Sequence, residues 1–114
     1  MVLGSAKPIY EIVTGTLKLG KNVEFAKGHQ DILVPILKDC GIEPVSMLVT
    51  ETGTYGKFYN IYRYSALNVY GTQTDGFAKH PKVGDYFNVL TSCVEGSIQV
   101  ELATELIPHP IVGR

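Results

Sequence analysis

Residues 9–18 read IYEIVTGTLK. This run is rich in β-branched residues, and its apolar and polar side chains roughly alternate, which predicts a strand. Three later stretches have the same character, at residues 43–52, 57–64 and 97–107. Glycines between the second and third stretches can take up positive φ angles, so these two strands are expected to form a hairpin.

The first two strands are separated by a predicted amphipathic helix over residues 21–41. Its apolar side chains recur at about 100° per residue, as expected for a helix with one face on a core. Pro35 lies toward the solvent side of this helix and should bend it, because proline lacks a backbone N–H. Gly41 stands where a C-terminal cap belongs.

A second helical region is predicted between the third and fourth strands. Residues 67–79 form a weaker helix diluted by glycines, Pro81 interrupts it, and residues 82–94 continue it. Gly96 is expected to end this helix. The resulting order is β-α-β-β-α-β, which with right-handed crossovers gives an α+β, ferredoxin-like fold. Its antiparallel four-stranded sheet carries both helical regions on one face.

Length and composition limit the chain to one small domain. The sequence has 114 residues, a formal net charge of -1 and 45% hydrophobic residues. We expect a leader over residues 1–8, one domain over 9–107 and a tail over 108–114.

The balanced charge argues against a nucleic-acid groove or a polybasic membrane surface. No apolar run reaches the roughly 20 residues of a membrane helix, and the first residues do not resemble a signal peptide. Two cysteines do not make a disulfide framework, which favours a reducing cytoplasmic setting.

Neither face of the first or the third predicted strand is clearly polar. An antiparallel sheet with one wet face usually alternates more cleanly, so we expect a second copy to cover the face away from the helices in a homodimer. A monomer with scattered apolar surface is the alternative. Glu11, Arg63 and Glu101 are expected to share this covered face as an ion cluster.

The sequence resembles NIPSNAP-type proteins over residues 9–107. Residues 9–21 are similar to the family's first-strand pattern, close to Tyr-Glu-Leu-Arg-Thr-Tyr-Thr-Leu-Lys-Pro-Gly. Further similarities lie in the hairpin and third strand, at the end of the first helix and at the break in the second helix, at residues 50–53, 59–67, 32–36 and 80–83. The resemblance implies membership of the dimeric α+β barrel superfamily, in which two ferredoxin-like sheets face each other.

Two positions depart from the family pattern. Val13 stands where the family has an arginine, and Gly15 stands where it has a tyrosine. These changes remove a charge and a phenol from one sheet face and should open volume for an apolar or aromatic guest. Neutral drift with compensating packing is the alternative.

His29 lies within the apolar arc of the first helix and should point at the sheet. Imidazole exchanges protons near neutrality, so His29 is a candidate acid/base, although a neutral core histidine would look the same. Tyr62 on the third strand is predicted to orient or polarise a substrate carbonyl. The expected apolar and aromatic wall of the pocket consists of Phe25, Leu33, Phe58, Asn60, Tyr64, Phe77 and Tyr86.

His80 is a further catalytic candidate, since its His-Pro pair is similar to that of the stress-responsive cyclase branch of the superfamily. That branch also has a histidine three residues after the pair and a tyrosine three residues before it. Here Val83 and Phe77 occupy those positions, so the cyclase mechanism cannot be transferred. His80 could equally stabilise a helix C-terminus through the dipole.

These residues predict a cofactor-free small-molecule enzyme. It would be an isomerase, cyclase, lyase or oxygenase of secondary metabolism, acting on an apolar aromatic or polyketide-like compound. Neither a metal site nor a cofactor is expected, because metal-ligand spacings, phosphate-binding loops and nucleophile elbows are all missing from the sequence. The alternative is a non-catalytic NIPSNAP-like dimer that binds a ligand or another protein.

Overall fold

The computed structural model describes residues 7–107 and has the predicted ferredoxin-like α+β architecture. Its single sheet is antiparallel, in the order β2-β3-β1-β4. Along the chain the elements are β1 (Ile9–Leu17), α1 (Asn22–Gly28), a π-helical turn (His29–Leu33), α2 (Val34–Asp39), β2 (Glu43–Val49), β3 (Lys57–Tyr64), α3 (Leu67–Ala78), α4 (Val83–Cys93) and β4 (Val94–Ala103). Most of the predicted leader and the whole predicted tail lie outside the described residues.

The first helix is continuous but not regular. The segments α1 and α2 are joined by the π-helical turn, where the Val34 N–H donates to the His29 carbonyl. Pro35 follows at once and has no N–H to give to the carbonyl four residues earlier, so regular α-helical bonding is interrupted here. The irregularity expected at Pro35 is therefore found just before it, as a wide turn of the kind that often occurs at functional sites.

The prediction that Gly96 ends the second helical region is wrong. α4 ends at Cys93 and β4 begins at Val94 without a connecting loop. Gly96 has a φ angle of 74° and lies opposite the shift in register between Thr14 and Thr16 of β1. It is a bulge residue inside β4, where the backbone needs the left-handed conformation that glycine adopts easily.

One sheet face packs against the helices. On β3 this face carries four buried side chains, Phe58, Asn60, Tyr62 and Tyr64. The antiparallel register places Ile9, Glu11, Val13 and Gly15 of β1 opposite these residues and on the same face. Together with buried residues of the helices, this face forms the hydrophobic core.

The register overturns the predicted ion cluster. Glu11 pairs with Tyr62 and so lies on the helix-facing side, whereas Arg63 pairs with Tyr10 on the other side. The Arg63 guanidinium bonds to Glu43 of β2, with 3.2 Å between Nη1 and Oε1. The error arose from pairing the two strands one residue out of step, which reverses the face of every side chain.

The opposite sheet face, here called the open face, has an apolar centre. Ile12 and Ile61 are directly paired on it, next to the half-buried rings of Tyr10 and Tyr59. Leu48 of β2 extends this surface and is 54% exposed. Among residues 7–107, none of the helices has both the length and the apolar character needed to span a bilayer.

Candidate functional site

A cavity of about 180 Å³ lies between the sheet and the helices. Its wall is mainly aliphatic and aromatic, with a carboxylate and several hydroxyls. The lining residues are Glu11, Val13, Leu33, Leu37, Tyr62, Tyr64, Thr74, Phe77, Tyr86, Phe87, Leu90, Ile98 and Val100. An apolar cavity with a few convergent polar groups is typical of a small-molecule site.

Five of the predicted site residues line this cavity: Leu33, Tyr62, Tyr64, Phe77 and Tyr86. Three others line a smaller cavity of about 90 Å³ beside β2, namely Phe25, Phe58 and Asn60. The structure therefore separates the predicted wall into two groups.

Val13 and Gly15, the departures from the family pattern, differ in their effect. Val13 lines the helix–sheet cavity, as the loss of an arginine side chain there predicts. At Gly15, a Cβ atom would lie 2.9 Å from the ring of Phe58 and 3.1 Å from Ile98. The volume expected at Gly15 is thus filled by a neighbouring ring, and the prediction of open space there is wrong.

His29 is buried behind the cavity wall, with 1% of its surface exposed. Its Nδ1 lies 3.2 Å from the carbonyl oxygen of Phe25, and its Nε2 lies 2.9 Å from Nδ2 of Asn60. Because a carbonyl only accepts, Nδ1 carries the hydrogen and Nε2 accepts from the amide. The Oδ1 atom of Asn60 is buried and has no hydrogen-bond partner among residues 7–107.

Two tyrosine hydroxyls connect His29 to the cavity. The hydroxyls of Tyr62 and Tyr86 each lie 3.4 Å from Nε2 of His29. Tyr86 reaches this position because α4 packs closely on α1, where a Cβ at Gly28 would lie 2.6 Å from Val89. These two phenols therefore connect His29 to the cavity.

Burial determines the protonation states of these groups. It lowers the pKa of His29 from 6.5 to about 4, despite the opposing effect of the Phe25 carbonyl, so the imidazole is neutral at pH 7. Burial also raises the pKa of the Tyr62 and Tyr86 hydroxyls above the ordinary value. Both phenols keep their hydrogens at neutral pH and can donate them.

Glu11 lines the cavity, although the sequence analysis placed it in an ion cluster and not among the candidate site residues. Its Oε2 accepts a hydrogen bond of 2.6 Å from the hydroxyl of Tyr70, and its Oε1 accepts a longer one of 3.4 Å from Tyr64. Its alternation with Val13 on β1 was visible in the sequence. Only the register with β3 shows that this face meets the cavity.

His80 lies apart from this site. Its Nε2 bonds to Oδ2 of Asp39 at 2.9 Å, and its Nδ1 accepts from the backbone N–H of Lys82 at 3.1 Å. It joins the end of α2 to the loop after α3 and is not among the residues that line the cavity. Within residues 7–107, no cluster of three or more His, Cys, Asp or Glu side chains is arranged to bind a metal ion.

Comparison with solved structures shows which proteins share this fold. A NIPSNAP family protein of unknown function from Agrobacterium tumefaciens superposes with a TM-score of 0.79 at 20% identity, covering 92% of this chain and 94% of that one. A NIPSNAP-like domain protein from Burkholderia xenovorans gives a TM-score of 0.79 at 14% identity, with 93% and 91% covered.

A third neighbour, from Nitrosomonas europaea, is named "Putative antibiotic biosynthesis monooxygenase". It superposes with a TM-score of 0.71 at 11% identity, covering 90% of this chain and 94% of that one. No family model matches the sequence, and no curated protein is significantly similar to it. The chain therefore shares its fold with NIPSNAP family proteins and with a protein named "Putative antibiotic biosynthesis monooxygenase".

Proposed function

We propose that this protein is a cofactor-free enzyme that acts on a small aromatic or alicyclic compound in the helix–sheet cavity. The reaction class is isomerisation, cyclisation, elimination or oxygenation. The observation that carries this proposal is the apolar cavity into which Tyr62 and Tyr86 bring hydroxyls that also contact a buried, neutral histidine.

The cavity volume limits the size of the substrate. An apolar cavity of about 150 Å³ holds benzene, whereas sites for drug-sized ligands measure roughly 300–1,000 Å³. At about 180 Å³, the cavity fits one ring with a small polar substituent. The volume thus favours a single-ring substrate over a multi-ring polyketide.

The hydroxyls suggest how a carbonyl substrate would be activated. Tyr62 and Tyr86 are neutral donors inside an apolar wall, and donors fixed in such surroundings stabilise developing negative charge on an oxygen. Nε2 of His29 accepts from the Asn60 amide at 2.9 Å and lies 3.4 Å from both hydroxyls, so the neutral imidazole can orient them. We therefore assign His29 a positioning role for the phenols, with Asn60 holding its ring in place.

Titration with acetophenone, a single ring bearing a carbonyl, tests this proposal. We expect saturable changes in the backbone amide NMR signals around Val13, Leu90 and Val100, which line the cavity. Signals of the open face, such as those of Ile61, serve as the internal control. Changes confined to the open face, or no saturable change, would contradict a ligand site between the helices and the sheet.

A non-catalytic binding protein is the second candidate. It is favoured by the position of His29, which is almost fully buried and does not itself line the cavity. In that case acetophenone and related compounds would bind without being converted. A product formed in proportion to protein concentration would exclude this candidate.

We also infer that the protein is a homodimer whose copies meet at their open faces. The paired Ile12 and Ile61 with the adjacent tyrosine rings form an apolar centre, which suits an isologous contact.

The free thiols of Cys40 and Cys93 fit a reducing compartment such as the cytoplasm.

Replacing Ile61 with glutamate is expected to convert this dimer into a monomer. The added carboxylates of the two copies would lie in the apolar contact and lose their water. Sedimentation equilibrium of the wild-type and Ile61→Glu proteins measures the masses, with exposed Leu19→Glu as the matched control. A wild-type monomer, or a dimer unaffected by Ile61→Glu, would contradict the inferred interface.

A further inference from the structure

Glu11 is the one charged residue among those that line the helix–sheet cavity in the described part of the chain. It is the third residue of β1, the strand between β3 and β4. None of the ion pairs found among residues 7–107 includes it. A partly buried carboxylate is thus placed in a mainly apolar wall without a cationic partner there, so hydrogen bonds have to satisfy it.

Two phenols hold this carboxylate in a fixed position. Tyr70 of α3 donates to Oε2 over 2.6 Å, and Tyr64 of β3 donates to Oε1 over 3.4 Å. The two rings pack edge to face, with 4.6 Å between their centroids. Since burial and the neighbouring carboxylate raise the pKa of both phenols, they remain donors at neutral pH.

The carboxylate and the carbonyl-binding hydroxyls face the same space. Glu11 is paired directly with Tyr62 across the β1–β3 ladder, so both side chains leave the sheet on the same side. Tyr86 approaches from α4 above them and also lines the cavity. A single-ring ketone bound there would have a hydrogen-bond donor at its oxygen and a carboxylate near its ring carbons.

We propose that Glu11 is the catalytic base that removes a proton from a carbon next to the substrate carbonyl, and this rests on the proposed function. The C–H bond breaks, its proton bonds to a carboxylate oxygen of Glu11, and its electron pair forms the carbon–carbon double bond of an enolate. Tyr62 or Tyr86 stabilises the negative oxygen with a hydrogen bond. Glu11 then returns the proton to a different carbon, so the substrate is isomerised without an oxidant or cofactor.

The test uses 3-cyclohexenone, a single-ring ketone in which one methylene lies between the carbonyl and the double bond. Proton removal there and return at the far end of the double bond give the conjugated ketone, which is followed by ultraviolet absorbance. Binding is measured separately through the NMR signals of Val13 and Val100. We expect the wild-type protein to bind this ketone and to accelerate its conversion in proportion to protein concentration.

Glu11→Gln is expected to bind 3-cyclohexenone with nearly wild-type affinity and to convert it at least about 100-fold more slowly, the usual contribution of a positioned base. Tyr70→Phe keeps the carboxylate but removes its shorter hydrogen bond, so we expect a smaller loss of rate and little change in affinity. Glu43→Gln, on the open face, is the matched control with an unchanged rate. Thermal unfolding confirms that each variant is folded.

The possible failures are distinguishable. If Glu11→Gln unfolds, the proposal is tested by the rate at which Tyr70→Phe converts the ketone. A wild-type rate in Tyr70→Phe then overturns the proposal. If the wild-type protein binds the ketone but does not convert it, or if Glu11→Gln converts it at the wild-type rate, Glu11 is not the base and the binding site stands. If the wild-type protein does not bind the ketone, the proposed function fails together with this inference.

Discussion

Lowering the pH from 6.5 to about 4 is expected to reduce the free energy of unfolding by about 3 kcal/mol through His29 alone. Burial lowers the pKa of His29 from 6.5 to about 4, and one pKa unit corresponds to about 1.4 kcal/mol. Between these two pH values the unfolded chain binds a proton at this site and the folded chain does not. Stability is therefore fully present above pH 6.5 and is lost as the pH falls toward 4.

Urea unfolding at a series of pH values measures this effect, and His29→Gln provides the comparison. Carboxylates also titrate in this range. The effect of His29 is therefore the difference between the wild-type protein and the variant in the slope of the free energy of unfolding against pH. The matched control is His80→Gln, at the partly exposed histidine bonded to Asp39. This variant should keep the pH dependence of stability that His29 causes. Equal slopes for the wild-type protein and His29→Gln would mean that His29 is not held neutral in the core.

Val100→Trp is expected to weaken acetophenone binding more than tenfold while the protein remains folded. Val100 lines the cavity from β4, yet 52% of its surface is exposed. A larger side chain at this position can enter the cavity mouth without displacing the core. Substitutions at such exposed positions usually change stability by only about 0.5 kcal/mol.

The matched control places the same indole outside the cavity. Leu48→Trp lies on the open face of β2, where Leu48 is 54% exposed, and should bind acetophenone as the wild-type protein does. NMR titration gives both affinities, and thermal unfolding gives both stabilities. Equal affinities in the two variants would place the ligand somewhere other than this cavity.

The fold was predictable because the spacing of the apolar residues along the sequence matches the periods of its strands and helices. The third strand was predicted at its observed bounds, residues 57–64, and alternation alone placed Asn60 and Tyr62 on one face. His29 could be identified because its neighbours on the helix are apolar. Gly96 was misassigned because a glycine in the left-handed conformation suits a strand bulge as well as a helix end.

The missed parts of the site depend on contacts between distant segments. Glu11 alternates correctly in β1, but its role requires the register with β3 and the approach of Tyr70 from α3. The space at Gly15 is closed by the ring of Phe58, which no local pattern indicates. The separation of His80 from the cavity likewise follows from its bond to Asp39, a residue distant in sequence.

A crystal structure of the protein soaked with acetophenone tests the central claim most directly. We expect the ligand in the helix–sheet cavity, with its carbonyl oxygen within hydrogen-bond distance of the hydroxyl of Tyr62 or Tyr86 and its ring against Phe77 and Leu90. A ligand bound only on the open face, or a cavity that stays free of ligand under saturating conditions, would contradict a small-molecule site between the helices and the sheet.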